Sequence, residues 1–423
     1  MSKVEYKNTL IKDIGRVVTG KTPETKKAEF YGNGYMFITP AELHDGYNVQ
    51  VSDKYITESG LQSIKSNCID GTSVMVGCIG WDMGNVAICH RKCATNQQIN
   101  SITDFNPKYN PFYTYYWLLT KKDYLFTIAS VTRTPILSKS TFEEIVIPMP
   151  DRSIQDNVVE TLKPIDDMME NNKRICSELE AMAKTLYDYW FVQFDFPDEN
   201  GNPYRSSGGE MVWNEQLKRE IPKGWEAKNI QEVCAIVDCL HSKKPDLSFE
   251  SENYYLLQLD NLVDMGLLDL SNKYYVSAND YAAWSSKIEV RCGDLVITNA
   301  GRVGDIARIP EGIICGIGRN MTAIRAVNVD PIFMYYFFAS SDMKAQVKSN
   351  TDTGSFFGSL NVRGIKQLIM PIPFEKSEIM NRFIDIVRPI RENLEMVAQQ
   401  SQELSKLRDW LLPMLMNGQA RME

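Results

Sequence analysis

The run most suggestive of chemistry lies near the start of the chain, where Gly15 to Thr22 (GRVVTGKT) matches the phosphate-binding pattern GxxxxGK[ST]. A working loop of this kind follows a buried strand and begins a helix, because the amides of the helix N-terminus hold the phosphates. Here Pro23 follows at once and disfavours helical geometry at Thr22. An NTPase that depends on Lys21 therefore stays only as an alternative.

A second run, Asn110 to Tyr113 (NPFY), resembles the signature of amino-methyltransferases but lacks its second proline. No glycine-rich loop for S-adenosylmethionine accompanies it, and the aromatic residues that follow are typical of a buried helix. We interpret this run as core packing.

The cysteines and histidines form no recognisable site. Cys68, Cys78, Cys89, His90 and Cys93 lack the paired CxxC spacing that structural zinc favours, so we expect buried thiols and no bound metal. The chain has only three histidines, and no Ser-His-Asp or Cys-His set can be assembled from them. The sequence predicts a chain without catalytic residues.

Composition indicates a globular protein. Hydrophobic residues make up 43% and charged residues 24% of the 423 positions, which is ordinary for soluble domains. No apolar run approaches the roughly 20 residues that span a bilayer, and residues 1–6 lack the apolar core of a signal peptide. Nine scattered cysteines favour reduced thiols in a cytoplasmic protein.

The elements that would position any site occur twice. Three pairs of runs match, namely 93–102 with 315–324, 111–116 with 331–336 and 145–150 with 368–373. The offset between the copies stays between 216 and 225 residues over nearly 180 residues, which indicates a duplicated unit. Each copy begins with a mixed segment that has short strand-like runs, such as 73–76 and 294–298, and ends in a long helix.

The two helical segments have apolar residues at steps of three and four, which place a stripe along one face. A stripe this long needs a partner, and we expect the helices to pair with each other, although each could instead lie on its own domain. Pro164 and Pro389 predict a kink or a restart at matching points. The residues expected to pair are Leu162, Ile175, Leu179, Met182 and Leu186 with Ile390, Leu394, Val397, Leu404, Leu407 and Leu411.

The predicted fold is therefore mixed α+β, with two repeated globular domains that are each followed by a long helix. The expected boundaries are a first domain at 1–150, a helix at 151–193, a linker at 194–223, a second domain at 224–374 and a helix at 375–423. The net charge of −8 belongs mostly to residues 151–223, which carry −6, whereas the first domain carries +2 and the second −3. Such near-neutral domains can bind DNA if their basic residues cluster on one face.

Several motifs together give the chain a family resemblance. They are TGKTP at 19–23, FITP at 37–40, FDFP at 194–197, SSGG at 206–209, EIPKGW at 220–225, LRDWLLPMLMNGQ at 407–419 and a Pro-x-Pro run that closes each domain. With these motifs the chain resembles the specificity (HsdS-type) subunits of type I restriction-modification systems over almost its whole length.

The resemblance implies that each domain is a target recognition domain reading one half of a bipartite, asymmetric DNA site. It implies that the helices form an antiparallel coiled coil that sets the spacer and docks two methyltransferase subunits. Those subunits would use S-adenosylmethionine to methylate adenine, and a separate restriction/translocase subunit would use ATP and Mg. A stand-alone DNA-binding or antirestriction module of the same build is the alternative.

Candidate DNA contacts follow from readout chemistry, in which Arg, Lys, Asn and Gln read base edges and Lys, Ser and Thr hold phosphates. Polar residues in loops between apolar runs are therefore the candidates. In the first domain they are Lys21, Thr22, Lys26, Lys27, Arg91, Lys92, Gln97, Gln98, Arg133, Thr134, Ser138 and Lys139. In the second they are His241, Lys243, Lys244, Asn299, Arg302, Arg319, Asn320, Ser355, Asn361 and Arg363.

Overall fold

The structure is a computed structural model that describes residues 5–44, 46–131, 133–351, 358–373 and 378–419. The chain divides into two compact units. The first unit consists of residues 1–171 and 403–423, and the second unit of residues 172–402. Each unit therefore contains one globular domain together with parts of both long helices.

The first half of the chain alternates short strands with short helices before the first long helix. Its strands are β1 (Lys7–Leu10), β2 (Arg16–Thr19), β3 (Tyr31–Ile38), β4 (Tyr55–Ile56), β5 (Cys68–Ile69), β6 (Ser73–Gly77), β7 (Val86–Cys89), β8 (Cys93–Thr95), β9 (Ile99–Thr103), β10 (Ser130–Val131), β11 (Pro135–Ile136) and β12 (Val146–Met149). Its helices are α1 (Ile11–Ile14), α2 (Glu58–Ser63), α3 (Pro111–Leu119), α4 (Lys122–Ile128), α5 (Lys139–Glu143) and α6 (Arg152–Tyr187), with 3-10 turns at Ala28–Phe30, Pro40–His44 and Lys65–Asn67 and a π turn at Asp188–Val192.

The second half repeats this arrangement after a hairpin. Its strands are β13 (Met211–Asn214), β14 (Arg219–Pro222), β15 (Trp225–Asn229), β16 (Cys234–Asp238), β17 (Tyr255–Leu257), β18 (Leu262–Val263), β19 (Leu267–Leu268), β20 (Tyr274–Tyr275), β21 (Leu295–Thr298), β22 (Ile306–Arg308), β23 (Gly316–Ile317), β24 (Met321–Ala326) and β25 (Ile369–Pro373). Its helices are α7 (Ile230–Val233), α8 (Ala278–Trp284), α9 (Pro331–Ala339), α10 (Ser341–Ser349), α11 (Val362–Lys366) and α12 (Glu378–Met416), with 3-10 turns at Leu259–Asn261 and Asp264–Gly266.

The two units share their main sheets. The first unit has an antiparallel sheet in the order β2-β9-β6-β7, and the second has the equivalent order β16-β24-β21-β22. In each unit a parallel pair lies in another sheet, β3 with β8 and β17 with β23. An antiparallel pair, β1 with β12 or β15 with β25, joins the start and the end of each domain. The duplication seen in the sequence is thus a duplication of topology.

Buried aromatic helices fill the core of each unit. Asn110 caps α3 by accepting a hydrogen bond from the Phe112 N–H at 2.9 Å, and Pro111 occupies the first helical position. Asp330 caps α9 in the same way through the Ile332 N–H at 2.8 Å. All residues from Tyr113 to Leu118 are buried. The NPFY run is therefore a helix start followed by core packing, as predicted.

The long helices pair in antiparallel fashion within the second unit. Asn172 Nδ2 donates to Gln400 Oε1 at 3.1 Å, and the Cys176 thiol donates to the Leu394 carbonyl at 3.6 Å. Residue numbers therefore increase along α6 in the direction in which they decrease along α12, as in an antiparallel pair. Both helices run without interruption through Pro164 and Pro389, so the restart expected at these prolines does not occur.

The pairing face differs from the predicted one at three positions. Ile175, Met182 and Leu407 are 37%, 59% and 44% exposed. The next residue along α6, Cys176 after Ile175 and Ala183 after Met182, is buried instead. A helix advances about 100° per residue, so a one-residue error in reading the stripe turns a side chain from the interface toward the outside. Of the other predicted residues, Leu162 and Leu394 are buried, and Leu179, Leu186, Ile390, Val397, Leu404 and Leu411 are half-buried.

Residues 194–223, expected to be a linker, are folded into the second unit. Asp195 accepts hydrogen bonds from the Ser206 N–H and hydroxyl, both at 2.7 Å, which ties FDFP to SSGG. Burial favours a higher pKa for Asp195, but these hydrogen bonds outweigh it and lower the pKa. The Phe196 ring stacks on Tyr204 and Trp225 at centroid distances of 4.7 and 5.5 Å. The motifs of this segment are therefore packing residues.

Candidate nucleic-acid interface

The sheet of the first unit gathers four loops at one end. Because β2, β9, β6 and β7 are antiparallel neighbours, the ends of β2 and β6 lie beside the starts of β9 and β7. Backbone hydrogen bonds join the loops, from the Cys78 N–H to the Gln98 carbonyl at 2.7 Å and from the Gly80 N–H to the Pro135 carbonyl at 3.0 Å. We call residues 20–27, 78–85, 96–98 and 133–139 loop edge 1.

Loop edge 1 brings most of the predicted residues of the first domain together. The Thr22 hydroxyl donates to Gln97 Oε1 at 2.8 Å, and Asn96 Nδ2 donates to Gln98 Oε1 at 2.9 Å. Thr22 and Gln98 are half-buried, whereas six further candidates are exposed on this edge, namely Lys21, Lys26, Lys27, Gln97, Arg133 and Thr134. Amide, hydroxyl and ammonium groups are thus gathered at one end of the sheet.

The same geometry removes the basis for a phosphate-binding loop. Residues 16–19 of the matching pattern form β2, and the next helical residues after Thr22 are the short turn Ala28–Phe30. Gly20 is required for a different reason, since a Cβ there would lie 2.1 Å from the Asn96 carbonyl oxygen. The glycine allows the loop after β2 to lie against the loop before β9.

The second unit repeats this edge. The ends of β16 and β21 lie beside the starts of β24 and β22, and we call residues 239–244, 299–305, 318–320 and 359–363 loop edge 2. Backbone hydrogen bonds again connect the loops, from the Asn299 N–H to the Asn320 carbonyl and from the Leu360 N–H to the Asn299 carbonyl, each at 2.8 Å. The exposed predicted residues here are His241, Lys243, Lys244, Arg302, Arg319, Asn320, Asn361 and Arg363.

A groove of about 770 Å³ adjoins loop edge 2. Lys244, Phe249, Tyr274, Arg319 and Asn320 line part of it. The Lys244 ammonium lies 3.8 Å from the centroid of the Tyr274 ring, and Phe249 is 79% exposed. Cationic groups and aromatic faces beside a groove are a combination that suits nucleic acid.

Comparison with known proteins agrees with this organisation. The family model for the type I restriction modification DNA specificity domain matches residues 3–181. The MjaIX type I restriction enzyme specificity subunit of Methanocaldococcus jannaschii is 27% identical, with 98% of this chain and 93% of the relative covered. The HindI specificity subunit of Haemophilus influenzae is 30% identical over 173 residues, which are 38% of this chain and 37% of the relative.

A solved structure has the same fold. The S subunit of a type I restriction-modification system from M. genitalium superposes with a TM-score of 0.59 at 17% identity, covering 100% of this chain and 98% of that chain. In sequence and in fold the chain is therefore similar to type I specificity subunits. Within the residues described, no helix is both long and apolar enough to cross a membrane.

Some predicted DNA contacts lie outside the exposed parts of the loop edges. Arg91 and Lys92 precede β8, so a whole strand separates them from the Gln97 loop, and the Lys92 ammonium lies over the Tyr35 ring at 5.5 Å. Asn299 is only 9% exposed. Ser355 lies outside the described residues.

Four other candidates already have structural partners. Ser138 caps α5 by accepting from the Thr141 N–H at 3.1 Å, and Asn361 caps α11 by accepting from the Gly364 N–H at 2.8 Å. Arg302 donates to the carbonyls of Leu259 and Leu262 at 2.6 and 2.8 Å. Lys139, beside the first cap, lies 3.5 Å from the Glu143 carboxylate. These contacts explain the residues without DNA.

Sequence reasoning missed the aromatic residues of both edges. Trp81 is 70% exposed in the turn between β6 and β7, and Phe249 protrudes beside loop edge 2. The signal for Trp81 was present, since a tryptophan between Gly80 and Gly84 sits in a turn and not in a core element. Phe249 had no comparable signal because nothing in its surroundings marks the groove.

One set of side chains, at the end of β16 and the start of loop edge 2, has metal-ligand chemistry. Ligand atoms of Asp238, Cys239 and His241 lie within 4.8 Å of one another. His241 Nε2 is 2.7 Å from Asp238 Oδ2, which is the distance of a direct hydrogen-bonded pair. Burial raises the pKa of the Cys239 thiol, which opposes the thiolate that a metal needs. The contact between Asp238 and His241 accounts for the cluster without a metal.

Proposed function

We propose that this chain is the DNA sequence-specificity subunit of a type I restriction-modification complex. Each loop edge reads one half of a bipartite, asymmetric DNA site, and the paired helices fix the distance between the halves. The subunit itself carries no catalytic residue and no cofactor. Adenine methylation, S-adenosylmethionine, ATP and Mg belong to its methyltransferase and restriction/translocase partners.

The charge of the loop edges is the observation that carries the proposal. Loop edge 1 contains five Lys and Arg against two Asp and Glu, and loop edge 2 contains five against one. The net charge of each loop edge is therefore more positive than that of its whole domain, which is +2 for the first domain and −3 for the second. The duplicated topology therefore places a local basic excess at the same end of both sheets, which is where phosphate contacts would orient the protein on DNA.

Differences between the edges support an asymmetric site. Gln97 and Gln98 of loop edge 1 correspond in position to Arg319 and Asn320 of loop edge 2. In the major groove Gln and Asn pair best with adenine, whereas Arg pairs best with guanine. Two readers of the same build with different side chains are expected to select different half-sites.

The outer side of the helices supports a docking role. Ile175 and Met182 of α6 and Tyr189 of the π turn that follows recur every seven residues and are each more than a third exposed. Such a row, which runs along α6 and the π turn after it on a helix that already has a partner on another face, fits a second protein. We assign this row to contact with the methyltransferase subunits.

The test is co-expression of the chain with its methyltransferase subunit in a methylation-free host, followed by single-molecule sequencing of the DNA. A two-part asymmetric motif with N6-methyladenine is expected, and it must vanish when this chain is omitted. A stable complex that binds S-adenosylmethionine but leaves DNA unmethylated would favour a stand-alone DNA-binding or antirestriction module instead.

A further inference from the structure

The two units bury an ion pair at equivalent places, with opposite polarity. The residues Pro164-Ile165-Asp166 of α6 match Pro389-Ile390-Arg391 of α12, so Asp166 and Arg391 occupy the same position of the repeat. Each lies beside the aromatic helix of its own domain. The first unit thus has an acid where the second unit has a base.

In the first unit the acid is Asp166, which is 2% exposed. Its carboxylate accepts a hydrogen bond from the Tyr116 hydroxyl at 2.6 Å and lies 3.0 Å from Arg408 of α12. Arg408 also contacts Asp409 at 2.9 Å. The partner helix therefore supplies the positive charge here.

In the second unit the base is Arg391, which is fully buried. It lies 3.4 Å from Glu180 of α6 and 2.8 Å from Glu395, and it donates to the carbonyls of Met265 and Gly266 at 2.7 and 2.8 Å. The guanidinium also lies 4.2 Å from the centroid of the Tyr335 ring. Glu180 in turn accepts from the hydroxyls of Tyr335 and Tyr336 at 2.9 and 3.2 Å. Here the partner helix α6 supplies one negative charge, Glu180, and α12 itself supplies the other, Glu395.

We infer that this inverted polarity is a pairing code that makes each half of the chain fit the other half and reject a second copy of itself. The inference concerns pairing of the helices and does not depend on DNA recognition. What self-pairing would bring together follows from the offset of 225 residues between equivalent positions of α6 and α12. With this offset, Glu180 of α6 corresponds to Ser405 of α12, and Ala183 corresponds to Arg408.

Self-pairing would bring like charges together. Two N-terminal halves joined about a two-fold axis would each place Asp166 against Ala183 and Glu180 of the other copy, so two carboxylates would meet in a buried site. Two C-terminal halves would place Arg391 against Arg408 of the other copy. Pairing of unlike halves instead gives Asp166 a counter-ion in Arg408, and it gives Arg391 a second one, Glu180, beside Glu395 of its own helix. A buried charge that loses such a partner and meets a like charge is strongly unfavourable.

The test uses the full-length chain with a protease site inserted at the exposed turn 199–201, cut after folding. The cut yields an N-terminal and a C-terminal half. Native mass spectrometry of the diluted, nicked protein should show mainly pairs of one N-terminal with one C-terminal half (N–C pairs). Pairs of two N-terminal halves (N–N) or two C-terminal halves (C–C) should be few. In Asp166→Arg the new arginine opposes Arg408 in the N–C pair but suits Glu180 of a second N-terminal half. We expect N–N pairs to rise at least about tenfold in this variant.

Asp166→Ala is the matched control, because it removes the attraction to Arg408 without creating one to Glu180. It should loosen the N–C pair without producing N–N pairs. Abundant N–N pairs in the unsubstituted protein, or equal N–N pairs in the Ala and Arg variants, would overturn the proposal.

If nicked Asp166→Arg does not assemble, the intact chain decides the matter. Combining Asp166→Arg with Arg408→Glu reverses the pair and should raise the denaturation midpoint above that of Asp166→Arg alone. A double variant no more stable than that single variant would show that the charges do not direct pairing.

Discussion

The cores and the loop edges of the two units diverge to different degrees. Both cores keep a four-stranded sheet in the same order and an aromatic helix capped by Asn110 or Asp330. The loop edges differ in chemistry, with glutamines and an exposed tryptophan on the first and a groove with aromatic side chains beside the second. A duplicated scaffold thus holds its packing constant while the loops that it positions vary.

The buried charges are a second contrast, and they predict the largest effect. Arg391→Met removes a fully buried guanidinium and leaves Glu180 and Glu395 close together. Breaking such a network costs about 3–5 kcal/mol of unfolding free energy. Arg408→Met should cost less, because the Arg408 side chain is 18% exposed. Burial also raises the pKa of Asp166, so this carboxyl can take up a proton when Arg408 is gone.

Both losses of unfolding free energy can be measured by urea denaturation, with hydrogen exchange used to follow the unfolding of each unit. Arg382→Met, on the exposed side of α12, is the control and should change little. If Arg408→Met proved as costly as Arg391→Met, the two sites would be equally dependent on their arginine, and the contrast between them would be lost.

The loop edges predict an intermediate effect that separates the two half-sites. Gln97→Ala should weaken or relax recognition of one half of the methylated motif, and Arg319→Ala should do so for the other half. A lost bidentate base contact is worth about 1–3 kcal/mol. Methylome sequencing and DNA-binding titrations with half-site variants measure the change.

Arg91→Ala is the matched control for this pair, since Arg91 is exposed but lies at the other end of β8 from Gln97. It should leave the motif unchanged. A shift of the same half-site in Gln97→Ala and Arg319→Ala would contradict separate readers.

How much of this the sequence predicts depends on the distance over which a signal acts. Repeats and buried strands such as β6 and β21 follow from local pattern, and the structure confirms them. The position that tertiary contacts give a residue does not follow from local pattern. Arg91 and Gln97, for example, are close in sequence, but a strand separates them in space. Ile175 and Cys176 differ by one helical step, and only the partner helix decides which of them is buried.

The capping residues predict a smaller effect that is equal in the two units. Ser138→Ala and Asn361→Ala each remove the acceptor for a helix N-terminal amide, which costs about 1 kcal/mol. Thermal unfolding monitored in each unit should detect both losses, and the methylated motif should stay the same. Weaker DNA binding without a loss of stability would instead return these residues to the set of DNA contacts.

The smallest effect concerns a hydrogen-bond acceptor that occupies equivalent positions in the two units. Its side chain is ionisable in the first unit and neutral in the second. Glu42 accepts from the Thr39 N–H at 2.9 Å and from the Ser52 hydroxyl at 2.7 Å. Asn261 takes the equivalent place and accepts from the Gln258 N–H at 2.8 Å. Both are buried, but only the glutamate can respond to acid.

The sign of the pH dependence follows from the lowered pKa of Glu42, where hydrogen bonds from Ser52 and Thr39 outweigh the burial that would raise it. A carboxyl with a lower pKa in the folded state stabilises it above the unfolded pKa, about 4.3, and this contribution is lost as pH falls through the folded value. Glu42→Gln should therefore be less stable than the unsubstituted chain near neutral pH, and the difference should shrink in acid. Hydrogen exchange over residues 37–53 measures it, with residues 256–269 as the internal control that should not respond. An unchanged difference across the acid range would mean that Glu42 acts by packing alone.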